Sequence, residues 1–97
     1  MVARMWRGRV KPGLLDEYRA FVERTGERDY RSTPGNIAAY TLTRDCGDYG
    51  EIITLSFWES YDAIKGFAGD DINVPKYYPD DPRYLLELHD VVEHYDA

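Results

Sequence analysis

One cysteine, Cys46, and two histidines, His89 and His94, are all the thiol and imidazole groups in this 97-residue chain. A single thiol closes no internal disulfide. With no CxxC spacing and only Arg44 as a basic neighbour, Cys46 reads as an incidental thiol in a turn. HxxxH and HExxH are absent too, and on an expected last strand His89 and His94 stand an odd number of positions apart, on opposite faces. No metal site is expected. Positive charge is also scarce: 12 Lys and Arg against 18 Asp and Glu give a net charge of −6. Neither a nucleic-acid backbone nor an anionic membrane would find a basic stripe to meet. Long apolar runs are missing as well, because Arg4, Arg7 and Arg9 interrupt the first ten residues, so no signal peptide or membrane span is expected. The cytoplasm is the expected compartment. There is no Gly-rich phosphate loop, GxSxG or dinucleotide fingerprint, so nucleotide, flavin and nicotinamide cofactors have no visible socket and no cofactor is expected. Asp70, Asp71, Asp80 and Asp81 read as solvated loop acids beside prolines.

The chain has rings in abundance: nine tyrosines, two tryptophans and three phenylalanines. Residues 1–97 read as one domain without linker or repeat, and a chain of this size buries only roughly 60–65% of its unfolded surface, so a partner would help. Val2 to Val10 alternates as a strand, with Val2, Arg4, Trp6 and Gly8 on one face. After the Lys11-Pro12-Gly13 break, Leu14, Leu15, Tyr18, Phe21 and Val22 repeat at helical spacing, and Gly26 is expected to end or weaken that helix. Glu27 to Gly35 reads as a polar connection. Asn36–Arg44 and Glu51–Glu59, joined by Cys46-Gly47-Asp48-Tyr49-Gly50, read as a hairpin. Ser60 is a candidate N-cap for a short helix with Tyr61, Ile64, Phe67 and Ala68 inward. Pro75, Pro79 and Pro82 imply an irregular stretch with one further turn, and Leu88–Tyr95 reads as the last strand. The β-α-β-β-α-β order predicts an α+β, ferredoxin-like fold: a four-stranded antiparallel sheet, order 4-1-3-2, with helices on one face. Ile53, Leu55 and Phe57 lie on one side of the third strand and Ile52 and Trp58 on the other, so both sheet faces need cover. A homodimer, sheet against sheet, meets that need.

Pro34-Gly35-Asn36 opening a strand, Phe57-Trp58-Glu59-Ser60 closing one, and the helix start Tyr61-Asp62-Ala63-Ile64 resemble the antibiotic biosynthesis monooxygenase family of dimeric α/β barrels. Met5 to Gly13 and Val92-Glu93-His94-Tyr95 also fit, so the resemblance spans nearly the whole chain. Its haem-degrading branch would place an Asn, a Trp and a His at the positions of Trp6, Phe67 and Tyr77. None matches, which implies that haem is not the working cofactor. The same register marks Trp6, Phe67 and Tyr77 as pocket wall, and the rings of Tyr18, Phe21 and Trp58 join them as candidate contacts for an aromatic small molecule.

The quinone-forming branch implies chemistry without metal or flavin, in which a deprotonated phenol itself reduces O2. Trp58 fits the tryptophan that such members carry, whereas Thr54 stands where their polar amide is expected. His94 is the candidate base, because imidazole titrates near neutral pH. Arg4, on the face of Trp6, is the candidate group for stabilising a phenolate or enolate. The leading expectation is thus a cofactor-independent monooxygenase acting on an aromatic or polyketide-like molecule. A non-oxidative isomerase, cyclase or decarboxylase on the same barrel, or a non-catalytic small-molecule-binding stress protein, are the alternatives.

Overall fold

The computed structural model describes residues 1–97. Four strands, β1 (Val2–Val10), β2 (Asn36–Asp45), β3 (Gly50–Trp58) and β4 (Glu93–Asp96), form one antiparallel sheet in the order β2-β3-β1-β4. This is the expected 4-1-3-2 order. The central pair, β1 with β3, sets Val2 opposite Trp58, Arg4 opposite Ser56, Trp6 opposite Thr54 and Gly8 opposite Ile52. Strand alternation sends all of these to one face, where each is buried. Ala3, Met5, Ile53, Leu55 and Phe57 take the other face.

Four helical pieces accompany the sheet. The first is α1 (Leu15–Val22), which continues through a π-helical segment (Glu23–Glu27) into α2 (Arg28–Ser32). Gly26 therefore does not end the helix, and the polar connection expected from Glu27 shrinks to the few residues after Ser32. The cause lies in phase. Val22 and Tyr30 are both buried, yet eight positions of α-helix at about 100° each would set them about 80° apart. A π-turn takes up one extra residue and brings Tyr30 back over the sheet.

Helix α3 (Tyr61–Ala68) starts where expected, with the Ala63 N–H donating to Ser60 Oγ at 3.2 Å. Ile64 and Phe67 point inward, whereas Tyr61 is largely exposed and donates to Asp96. The single turn α4 (Asp81–Tyr84) follows an irregular stretch. The last strand is shorter than expected: pairing with β1 begins at Glu93, and upstream only an isolated bridge joins Leu85 to Val10. His89 consequently lies on no strand.

Two apolar clusters fill the space between helices and sheet. One gathers Trp6, Val10, Tyr18, Phe21, Val22, Ile52, Tyr84, Leu85 and Val92, with Tyr18, Phe21 and Tyr84 stacked at centroid distances of 4.9–6.0 Å. The other gathers Val2, Tyr30, Ala39, Trp58, Ile64 and Phe67. No helix is long and apolar enough to cross a membrane.

The joint between β2 and α3 is tight. Gly35 has φ of +90°, and a Cβ there would lie 2.4 Å from the Cβ of Ala63. Gly35→Ala is expected to lower the unfolding free energy by about 2 kcal/mol or more, combining left-handed strain with overpacking. Urea denaturation checks this, and an unchanged midpoint would contradict it.

Candidate functional site

A recess opens between the two apolar clusters, over the middle of the inner sheet face. Arg4 and Trp6 of β1, Thr54 of β3, Tyr18 of α1, Tyr30 of α2 and Phe67 of α3 line it, while Pro75 to Tyr78 and Asp81 close one side. The structure thus brings together Arg4, Trp6, Tyr18, Phe67 and Tyr77. It leaves Phe21, Trp58 and His94 outside. Phe21 is spent on the stack with Tyr18 and Tyr84. Trp58 is fully buried in the other cluster, its Nε1 donating to Ser56 Oγ at 2.9 Å. His94 stands behind Arg4 on the neighbouring strand.

Counted out to its mouth the recess is about 410 Å3, within the ordinary range for a small-molecule pocket. The free space inside is only about 40 Å3, room for a few waters. One side of the recess is closed by the segment between α3 and α4, fastened by side-chain bonds. Trp6 Nε1 donates to the Tyr77 hydroxyl at 3.2 Å, and that hydroxyl donates to the His89 carbonyl at 2.9 Å. The Tyr78 hydroxyl donates to Asp29. These partners face water when they part, so their net hold is modest.

Arg4 is the most unusual group in the recess. It is 1% exposed, yet its bonds are few: Nη1 donates to the Ile72 carbonyl at 2.5 Å and meets His94 Nε2 at 2.9 Å. Since a guanidinium only donates, the His94 nitrogen accepts and the imidazole is neutral. Burial first, and the Arg4 charge second, push His94 below the usual histidine value. Burial likewise lowers Arg4. The guanidinium carbon also sits 5.8 Å from the centroid of the Phe67 ring, and Lys76 Nζ lies 4.8 Å from the same centroid.

Asp81 corrects the view of the loop acids. Asp70, Asp71 and Asp80 are exposed, but Asp81 is 4% exposed and walls the recess. Its Oδ1 accepts from the Tyr18 hydroxyl at 2.9 Å and its Oδ2 from the Tyr78 N–H at 2.6 Å. Burial, the larger effect, raises its pKa against these two donors, and burial with the Asp81 charge drives the Tyr18 phenol far up. No run of periodicity marks Asp81, whose flanking prolines signal only a turn. No group of three or more His, Cys, Asp or Glu side chains converges anywhere in the chain. The recess wall contains no imidazole, so the residues present do not fit haem ligation through histidine.

A carboxyl whose folded pKa is raised binds its proton more readily in the folded state. Its contribution to stability is therefore present at low pH and is lost as pH rises from the ordinary carboxylate value through the raised one. Asp81→Asn has no such titration. As pH rises from the ordinary carboxylate value through the raised one, wild-type stability is expected to fall relative to that variant, a trend that denaturation curves at stepped pH would reveal. A relative rise would refute it.

Neither a family model nor a curated protein matches this chain. Among solved structures, a putative antibiotic biosynthesis monooxygenase from Bacillus cereus is similar over 97% of this chain and 87% of its own, with a TM-score of 0.58 and 22% identity. At that identity the likeness carries the fold: this chain has the α+β sheet-and-helix architecture of that monooxygenase-like structure.

Proposed function

We propose that the chain is a cofactor-independent monooxygenase of the antibiotic biosynthesis type, acting as a homodimer on an aromatic or polyketide-like small molecule. The observation that carries this reading is the recess itself, in which Trp6, Tyr18, Phe67 and Tyr77 offer ring faces around a buried positive charge at Arg4. Rings suit a planar substrate, and the charge suits the anion formed when its hydroxyl loses a proton. The electron-rich anion passes electrons to O2. One oxygen atom stays in the product as a quinone carbonyl and the other leaves as water, so no metal or flavin is required.

Asp81 is the proton acceptor in this scheme, because it walls the recess and burial moves its pKa toward neutrality. His94, expected as the base, instead holds the Arg4 guanidinium in place through its Nε2. Oxygen uptake with planar polyphenols in chelator-treated buffer tests the proposal. Arg4→Gln and Asp81→Asn are each expected to lower kcat/KM by about 10²-fold. Turnover that continues without O2 would instead place the chain among non-oxidative enzymes.

The homodimer rests on the outer sheet face. Tyr40, Leu42 and Tyr95 are each about half exposed there, and Ile53, Leu55 and Phe57 run between them. Two such faces related by a two-fold axis cover one another. Light scattering is expected to give twice the chain's 11.3 kDa. Leu55→Glu, which sets a charge on the outer face, is expected to yield monomer or aggregate; an intact dimer would refute the assignment of this face.

A further inference from the structure

The Arg4 guanidinium has unused hydrogen-bonding capacity, and the pattern of what is unused is informative. Nη1 is engaged by the Ile72 carbonyl and His94 Nε2. Nε has neither a protein acceptor nor solvent contact. Nη2 makes no hydrogen bond of normal geometry either, although the Tyr30 hydroxyl lies near enough to the guanidinium to favour its charge. In a guanidinium, Nε–H and the Nη2–H beside it lie along one edge, parallel and coplanar. That edge matches two coplanar oxygens sharing a negative charge.

The charge is uncompensated as well. Arg4 takes part in none of the chain's ion pairs. Lys76, the second cation on the recess wall, is likewise unpaired and sits over Phe67 and Tyr78. The one carboxylate in the wall, Asp81, already accepts from the Tyr18 hydroxyl and the Tyr78 N–H. A buried cation without a counter-charge is costly, and here two cations flank one ring in a chain of net charge −6. An anionic ligand removes that cost.

We infer that the recess takes a planar molecule bearing a carboxylate, whose two oxygens meet Nε and Nη2 of Arg4 while its ring lies against Trp6 and Phe67. A lone phenolate oxygen would use one of the two donors, so a substrate carrying a carboxylate beside its hydroxyl uses the fork fully and keeps the positive charge next to the oxygen that is deprotonated. A phosphate or sulfate, tetrahedral and richer in acceptors, would find too few donors. Entry requires the segment between Gly69 and Asp80 to swing outward, because Ile72 and Tyr77 within it bond across the recess to Arg4 and Trp6. The inference rests on the recess being the ligand site and does not depend on the reaction being an oxygenation.

Calorimetry on the wild-type protein with 2-naphthoate, 2-naphthamide and 2-naphthol separates the possibilities, because the three share a ring system and differ in the oxygen-bearing group. Naphthoate is expected to bind about tenfold or more tighter than either neutral probe. Arg4→Lys keeps the charge and loses the fork, and is expected to lose most of that preference. Equal affinity for the three probes in the wild type overturns the inference, as does binding of none of them at millimolar concentration. Should the Lys variant fail to fold, a wild-type crystal structure with naphthoate decides, and a carboxylate seated away from Arg4 overturns it. A carboxylate preference without oxygen uptake would keep this inference and remove the monooxygenase. Oxygen-dependent turnover of naphthol with no carboxylate preference would do the reverse.

Discussion

The pairing of β1 with β3 is the constraint on which the rest of the molecule depends. Along the inner face it lays down a row that is apolar at both ends and polar in the middle. Val2 and Trp58 stand at one end, Gly8, Ile52 and Val10 at the other, and Arg4, Ser56 and Thr54 with the single ring of Trp6 between them, with Thr41 and Ala39 added by β2. Each apolar end nucleates its own cluster under the helices. From this middle stretch Trp6 joins the first cluster, while the buried polar groups of Arg4, Ser56, Thr54 and Thr41 stand between the two cores, and the recess lies over Arg4 and Thr54. The position of the site is thus a consequence of register, because a slip of one residue would turn Arg4 and Thr54 to the opposite face.

Most of the architecture was legible because Val2–Val10 alternates, because Gly50–Trp58 carries apolar residues on both sides as a strand covered on two faces does, and because the Pro-Gly-Asn, Gly-rich and Ser60 signals fall at real turns and caps. The helix beyond Val22 was not legible, since a π-turn shifts the phase by one residue and a search at a fixed 3.6-residue period stops there. The strand before Glu93 was overread for a related reason. Val91 and Val92 have strand-like side chains, but the backbone from Glu87 to Asp90 has left β1, and only Val92 turns into the core.

The site was half legible. Trp6 reaches the recess from the inner face of β1 and Phe67 from the buried side of α3, Tyr77 comes from the irregular stretch beyond α3, and Arg4 follows Trp6 by strand alternation. For Trp58, alternation gives the face and not the position along it, and its indole packs in the core at the far end, outside the recess. Asp81 was hidden by its company: four loop acids look alike in sequence, and only tertiary folding sets one of them beneath Tyr18. His94 was assigned by its chemistry alone, which says nothing of the neighbouring guanidinium that claims its lone pair.

The two tryptophans differ in their place along that inner row, Trp58 at one end and Trp6 in the middle opposite Thr54, and the difference has a spectroscopic consequence. Trp58 is sealed in a cluster away from the recess and bonded to Ser56, so its emission senses global unfolding and little else. Trp6 presents its indole to the recess and donates its N–H to a tyrosine hydroxyl in the segment that closes it. Parting that bond changes the indole's polarity and its quenching environment. The chain therefore carries, with no label added, one indole at the wall of its recess and a second sealed in its core, two emitters in unlike surroundings that report on different parts of the fold.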